Sequence, residues 1–104
     1  MEGIRAAVED ARTPVLLSAV CVWEAAIKSA LGKLRVPDDL PERLDEFAFE
    51  RLPITDVHAW KVRVLPAVHQ DPFDRLLAAQ ALCERATIVS ADVVFEAYGV
   101  ARIW

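Results

Sequence analysis

Apolar positions along the chain fall into short blocks separated by polar breaks. Val15-Leu16-Leu17 is a compact apolar run ending at Ser18, the pattern of a buried parallel strand. Ser18 is placed to cap a helix over 19–31, with Gly32 as its C′ residue. Asp38 or Asp39 opens a further helix over 40–49, with Leu40, Leu44 and Phe47 at helical spacing and Pro41 in its first turn. Residues 51–54 read as a short strand, after which Thr55 caps a helix through about 64; 66–70 is loop. Asp71-Pro72 is a strong helix start, an acidic cap followed by proline at the first helical position. The helix it opens, over 73–84, is apolar on nearly every face, through Leu76, Leu77, Ala78, Ala79, Ala81, Leu82 and Cys83, and is expected inside the domain. Residues 87–90 form another strand, 92–98 a short helix stopped by Gly99, and 100–104 a last strand. Ahead of all these, 2–11 reads as a short polar helix broken at Thr13-Pro14. Strands alternating with helices predict an α/β domain, a central parallel sheet flanked by helices. Ligands of such sheets bind beyond the carboxyl ends of the strands, so the residues after Leu17 and Val89 are where chemistry is expected.

Composition narrows the function. The chain has 104 residues, one domain's worth, with 55% hydrophobic and 27% charged residues, which excludes intrinsic disorder. Its net charge of −4 excludes a general electrostatic nucleic-acid binder, so any nucleic-acid role needs a local site. Three glycines (Gly3, Gly32, Gly99) cannot build a phosphate-binding glycine loop. Cys21 and Cys83 lie far apart in apolar surroundings and read as reduced, buried thiols of a cytosolic protein. The uncharged run over 13–23 is far shorter than the roughly 20 residues of a membrane span, and Glu2, Glu9 and Asp10 argue against a signal peptide. The expectation is a cytoplasmic protein without membrane contact.

Three carboxylates stand out. Glu24 lies between Ala19–Trp23 and Ala25–Ile27, all apolar, where an ionised carboxylate needs a partner or a metal. An i,i+4 pair with Lys28 serves as well as a metal, and both readings stay open. Asp71 is most simply a helix cap. Asp74 follows one turn later, where the helix dipole favours an acid, yet it opens an otherwise apolar helix. Asp92 directly follows the strand over 87–90 and is either a cap or a site residue. If Glu24, Asp74 and Asp92 converge, their mutual repulsion calls for a cation, and hard oxygen ligands suit Mg²⁺ or Mn²⁺. Such a site polarises a phosphoryl oxygen and activates water. His58 and His69 are isolated and read as structural or exposed rather than as ligands.

These residues form a linked set. Val15-Leu-Leu-Ser-Ala, Val22-Trp23-Glu24-Ala-Ala-Ile27-Lys28, Leu31-Gly32-Lys33-Leu34, Leu52-Pro53-Ile54-Thr55, Asp71-Pro72-Phe73-Asp74-Arg75-Leu76-Leu77-Ala78-Ala79-Gln80-Ala81 and Ser90-Ala91-Asp92 occur in order over essentially the whole chain. Together they resemble PIN-domain proteins of the VapC toxin type. The resemblance implies a PIN-like three-layer domain over 1–104 and an Mg²⁺- or Mn²⁺-dependent endoribonuclease, the toxin of a type II VapBC-type toxin–antitoxin pair. It matches Glu24, Asp74 and Asp92 to the family's second, third and fourth acids, with Asp71 and Ser90 as secondary polar groups. RNA, a cognate antitoxin and a second copy of the chain are the implied partners. One departure is plain: the family opens on a strand ending in an acid, usually LLDTH, and a first helix. This chain opens at Met1-Glu2-Gly3-Ile4 and has neither, so it reads as N-terminally truncated. A misassigned start, a degenerate gene and a strand supplied by another chain are open explanations.

Trp23, Trp60 and Trp104 are candidates for stacking on RNA bases, with core or interface packing favoured for Trp23. Among Lys28, Lys33, Arg35 and Arg75, the best phosphate contact is Arg75, beside Asp74. Apolar residues of the helices over 19–31 and 40–49 are candidates to receive an amphipathic antitoxin segment. Three functional readings follow: an active metal-dependent ribonuclease, a catalytically impaired PIN module that binds an antitoxin or dimerises, and an unrelated α/β domain whose acids are all caps.

Overall fold

The structure, a computed structural model, describes residues 15–47, 49–67, 70–89 and 93–103. The helix expected over 2–11, together with His69, Ser90, Asp92 and Trp104, lies outside the described residues. The element order is β1 (Leu16–Ser18), α1 (Ala19–Ala30), α2 (Leu40–Leu44), β2 (Glu50–Leu52), α3 (Asp56–Lys61), a 3₁₀ turn (Val62–Val64), α4 (Pro72–Glu84), β3 (Ile88–Val89), α5 (Val94–Ala97) and β4 (Arg102–Ile103). This is the expected alternation. β1 pairs with β2 and β3 with β4, both in parallel, with Leu16 opposite Glu50 and Ile88 opposite Arg102.

Local chemistry places the helix starts. The Ser18 hydroxyl accepts the Val20 N–H at 3.0 Å and begins α1 where β1 ends. Gly32, at φ +73°, follows the last turn of α1 in the left-handed conformation that lets a helix stop. Thr55 and His58 form a reciprocal capping box on α3: Thr55 Oγ1 accepts the His58 N–H, and His58 Nδ1 accepts the Thr55 N–H. The Asp71 carboxylate accepts the Phe73 N–H at 2.9 Å and the Asp74 N–H at 3.4 Å, and Pro72 occupies the first turn of α4. Loss of this cap in Asp71→Ala is expected to lower stability by about 1 kcal/mol. That corresponds to a fall in Tm of roughly 4–8 °C, measurable by thermal denaturation.

The core gathers around α4. Ala78, Ala79 and Ala81 are buried with Leu65, Ile88, Phe95, Tyr98 and Val100, and Val62, Leu77, Leu82 and Val94 pack on this cluster. Burial of α4 on successive faces agrees with its apolar sequence. The N-terminal half differs from expectation. Leu16 is 37% exposed in β1, and Val20 is the buried residue of α1. The run Val15-Leu16-Leu17 reads as a buried strand, but here Leu16 is exposed and Leu17 only partly buried. Helix α2 ends at Leu44, and Phe47 is exposed beyond it. Cys21 is exposed and Cys83 only partly buried, which corrects the reading of two buried thiols. Apolar neighbours in sequence occupy other faces of the helix and do not enclose the sulfur. Partial desolvation first, and then the charge of Glu24, raise the Cys21 thiol above its ordinary pKa against an opposing backbone hydrogen bond at Ser18.

Candidate functional site

Helices α1 and α4 run antiparallel. At the start of α1, Ser18 Oγ donates to Gln80 Oε1, two turns into α4. Five residues along α1, Trp23 meets Phe73 in the first turn of α4, edge to face at 4.5 Å between ring centroids and 68° between planes. Trp23 is 43% exposed, so of the core or interface packing expected for it the structure shows packing against a neighbouring helix at the surface. Each of these rings is followed at once by an acid, Glu24 on α1 and Asp74 on α4. The ring contact therefore sets the two carboxylate-bearing turns side by side.

One further turn along α1 stands Lys28. Its Nζ lies 2.8 Å from Glu24 Oε2, with side-chain exposures of 49% and 30%. The Glu24–Lys28 pair foreseen as one of two readings thus forms, and Glu24 has a partner for its charge. The same ammonium lies in the field of Asp71 and Asp74. Its pKa is raised above the ordinary lysine value, first by the hydrogen bond and charge of Glu24 and then, after a small opposing desolvation, by those two aspartates. At the N-terminal end of α4 the helix dipole also favours the negative charge of Asp71 and Asp74.

The Trp23–Phe73 contact brings the turns that carry Glu24 and Asp74 alongside each other. Asp71 doubles as the helix cap, as its position predicts. Among the described residues no three side chains from His, Cys, Asp and Glu form a ready metal-binding group. Asp92 and Ser90 lie outside those residues. Carboxylate oxygens are the donor type that a hard divalent cation takes, and one oxygen of Glu24 is engaged by Lys28. Arg75 is drawn toward the 3₁₀ turn: its guanidinium donates to the Pro66 carbonyl at 2.9 Å and the Val62 carbonyl at 3.2 Å, and lies 5.9 Å from the centroid of the Tyr98 ring.

Sequence reasoning gave no role to the buried polar chain behind this site. Gln80 is 1% exposed and His58 2% exposed. Gln80 Nε2 donates to the Pro53 carbonyl at 3.3 Å and to His58 Nδ1 at 3.2 Å. Because His58 Nδ1 also accepts the Thr55 N–H, the imidazole proton sits on Nε2 and is donated to Glu84 Oε1 at 2.7 Å. Ser18, Gln80, His58 and Glu84 thus link the start of α1 to α3 through α4. The available signal was a lone amide in the small, apolar run Ala78-Ala79-Gln80-Ala81.

The family model of the PIN domain matches residues 2–101. No curated protein sequence gives a significant match. Among solved structures, a chain of "Crystal structure of VapBC2 from Rickettsia felis bound to a DNA fragment from their promoter" is similar with a TM-score of 0.70 and 15% identity, over 98% of this chain and 81% of that one. At this identity the likeness speaks for the fold, whose parallel pairs and flanking helices it shares. No helix among the described residues is long and apolar enough to cross a membrane. With the family model spanning nearly its whole length, the chain belongs to the PIN domain family.

Proposed function

We propose that this protein is an Mg²⁺- or Mn²⁺-dependent endoribonuclease of the VapC toxin type, hydrolysing RNA phosphodiesters within a VapBC-type toxin–antitoxin pair. The observation that carries the reading is the Trp23–Phe73 contact, which sets the turns of Glu24 and Asp74 side by side. In this proposal Glu24, Asp74 and Asp92 hold the metal, which when bound polarises the phosphoryl oxygen and promotes ionisation of water. Asp71 fixes the first turn of α4, so that Asp74 is presented at a helix end rather than within a flexible loop. Ser90, two positions before Asp92 in sequence, assists through its hydroxyl. Arg75 meets RNA phosphate from a side chain whose course is set by the Val62 and Pro66 carbonyls. The proposed partners are RNA, a cognate antitoxin and a second copy of the chain, and the proposed location is the cytoplasm.

The purified chain is expected to cut a mixed single-stranded RNA with Mn²⁺ or Mg²⁺ and to stop when EDTA is added. Cutting that persists in EDTA would overturn the metal role. A second reading, a catalytically impaired PIN module that acts by binding an antitoxin or dimerising, is favoured by the apolar surface of the N-terminal half. Trp23, Ile27, Leu31 and Leu34 are 43%, 37%, 64% and 42% exposed, and surface of this kind is characteristic of interaction sites when contiguous. Folded protein that forms complexes but leaves RNA intact would favour that reading.

A further inference from the structure

Trp60 in α3 and Arg63 in the 3₁₀ turn form a surface pair that the proposed metal chemistry does not use. Trp60 is 68% exposed, and the Arg63 guanidinium carbon stands 4.5 Å from the centroid of its ring. Val57 and Val64, about one turn to either side, are exposed as well. Aromatic rings and guanidinium planes are both surfaces on which unpaired nucleobases stack, and a cation over the ring adds to the contact. The charge of the segment selects the partner. From 57 to 70 the chain carries Lys61 and Arg63 and no acid, in a protein whose net charge is −4. Asp56, in the first turn of α3, is the acid of that helix, and at the same end Glu84 is engaged by His58. A polyanion therefore gains from the cations that follow Trp60.

The course of the chain gives the pair a direction. His58 lies against Gln80 and Glu84 toward the end of α4, while the carbonyls of Val62 and Pro66 receive the Arg75 guanidinium near its start. The segment from α3 through the 3₁₀ turn thus runs antiparallel to α4, from Glu84 toward Arg75, the residue that follows Asp74. We propose that Trp60 and Arg63 are a stacking site for one unpaired base of single-stranded RNA, which holds the strand along this segment while its backbone continues toward Arg75. The base lies on the indole, and Arg63 meets an adjoining phosphate. This inference rests on the reading of the protein as a ribonuclease that takes single-stranded RNA.

The test is binding of the full chain to a short fluorescein-labelled single-stranded RNA, read by fluorescence anisotropy in EDTA, beside an abasic strand of the same length. Trp60→Ala is expected to weaken binding to the base-bearing strand by about 5- to 150-fold, the scale of one base–aromatic stack, and to leave binding to the abasic strand unchanged. Trp60→Phe keeps a ring and is expected to retain most of the affinity. Arg63→Gln is expected to make the dependence of log affinity on log salt shallower by about 0.7, the mark of one phosphate contact on a single strand. Equal binding by Trp60→Ala and the natural protein, or an equal loss on both strands, would overturn the stacking site. So would a homodimer that dissociates in Trp60→Ala while RNA binding is unchanged, which assigns this face to a second copy. A natural protein that binds neither strand would overturn it too. Cleavage that stops in EDTA is read separately, so the nuclease reading stands or falls on its own result. Trp60 is a surface residue, so the alanine variant is expected to fold, and an unchanged circular dichroism spectrum checks this.

Discussion

Asp74→Asn is expected to reduce metal-dependent RNA cleavage by about 10²- to 10³-fold, the scale of losing one group that stabilises developing charge. The substitution keeps the size of the side chain and its place in the first turn of α4. What it removes is the negative charge, and a neutral amide is a poor ligand for a hard divalent cation. The structural cost is small by comparison. An acid in the first turn of a helix contributes about 0.3–1 kcal/mol through the helix dipole, and the Asp71 cap, with Pro72 behind it, remains. Activity and stability therefore part company in this variant, whereas Asp71→Ala loses a cap and shifts Tm. Single-turnover cleavage and thermal denaturation on the same preparation separate the two effects. Equal cleavage by Asp74→Asn and the natural protein would remove Asp74 from the site. Glu24→Gln is informative beside it, because it deletes a proposed ligand and also the seat of Lys28.

Much of this arrangement is legible in the sequence because its determinants are local. Ser18, Thr55 and Asp71 each satisfy backbone N–H groups two or three residues away, so the starts of α1, α3 and α4 are written where they occur. The alternation of strands and helices likewise foretells the parallel pairs. Strand limits are less legible. Residues 51–54 and 100–104 read as strands, while the paired residues are Glu50–Leu52 and Arg102–Ile103. Parallel pairing depends on a partner more than ten residues away and not on the residues themselves. Burial is the least legible. Trp23 and Leu16 lie in apolar runs yet are exposed, and His58, isolated in sequence, is enclosed because its partners Gln80 and Glu84 arrive from 22 and 26 residues away. For the site, the acids that share a helix end, Asp71 and Asp74, are evident from Asp-Pro-Phe-Asp. That the turn of Glu24 lies beside them is visible only once α1 is seen to pack antiparallel to α4.

The same packing makes Gln80 a sensitive buried position. Gln80→Leu is expected to lower stability by about 2–4 kcal/mol, from buried polar groups left without partners at roughly 1–3 kcal/mol each. Leucine is close in size, so the loss is of hydrogen bonds more than of packing. Ser18 Oγ loses its acceptor, and the Pro53 carbonyl and His58 Nδ1 lose a donor. His58 retains the Thr55 N–H and Glu84, which keeps the start of α3 capped and bounds the damage. A domain of this size is then expected to melt at least about 10 °C lower. Thermal denaturation checks this, and a Tm equal to that of the natural protein would mean that Ser18, Pro53 and His58 find other partners. The expected local consequence is specific. Ser18 is both the cap of α1 and its tie to α4, so losing the tie loosens the antiparallel pair that holds Trp23 against Phe73. Cleavage measured well below the lowered Tm is therefore expected to fall as well, because Glu24 and Asp74 are aligned only as firmly as the two helices beneath them.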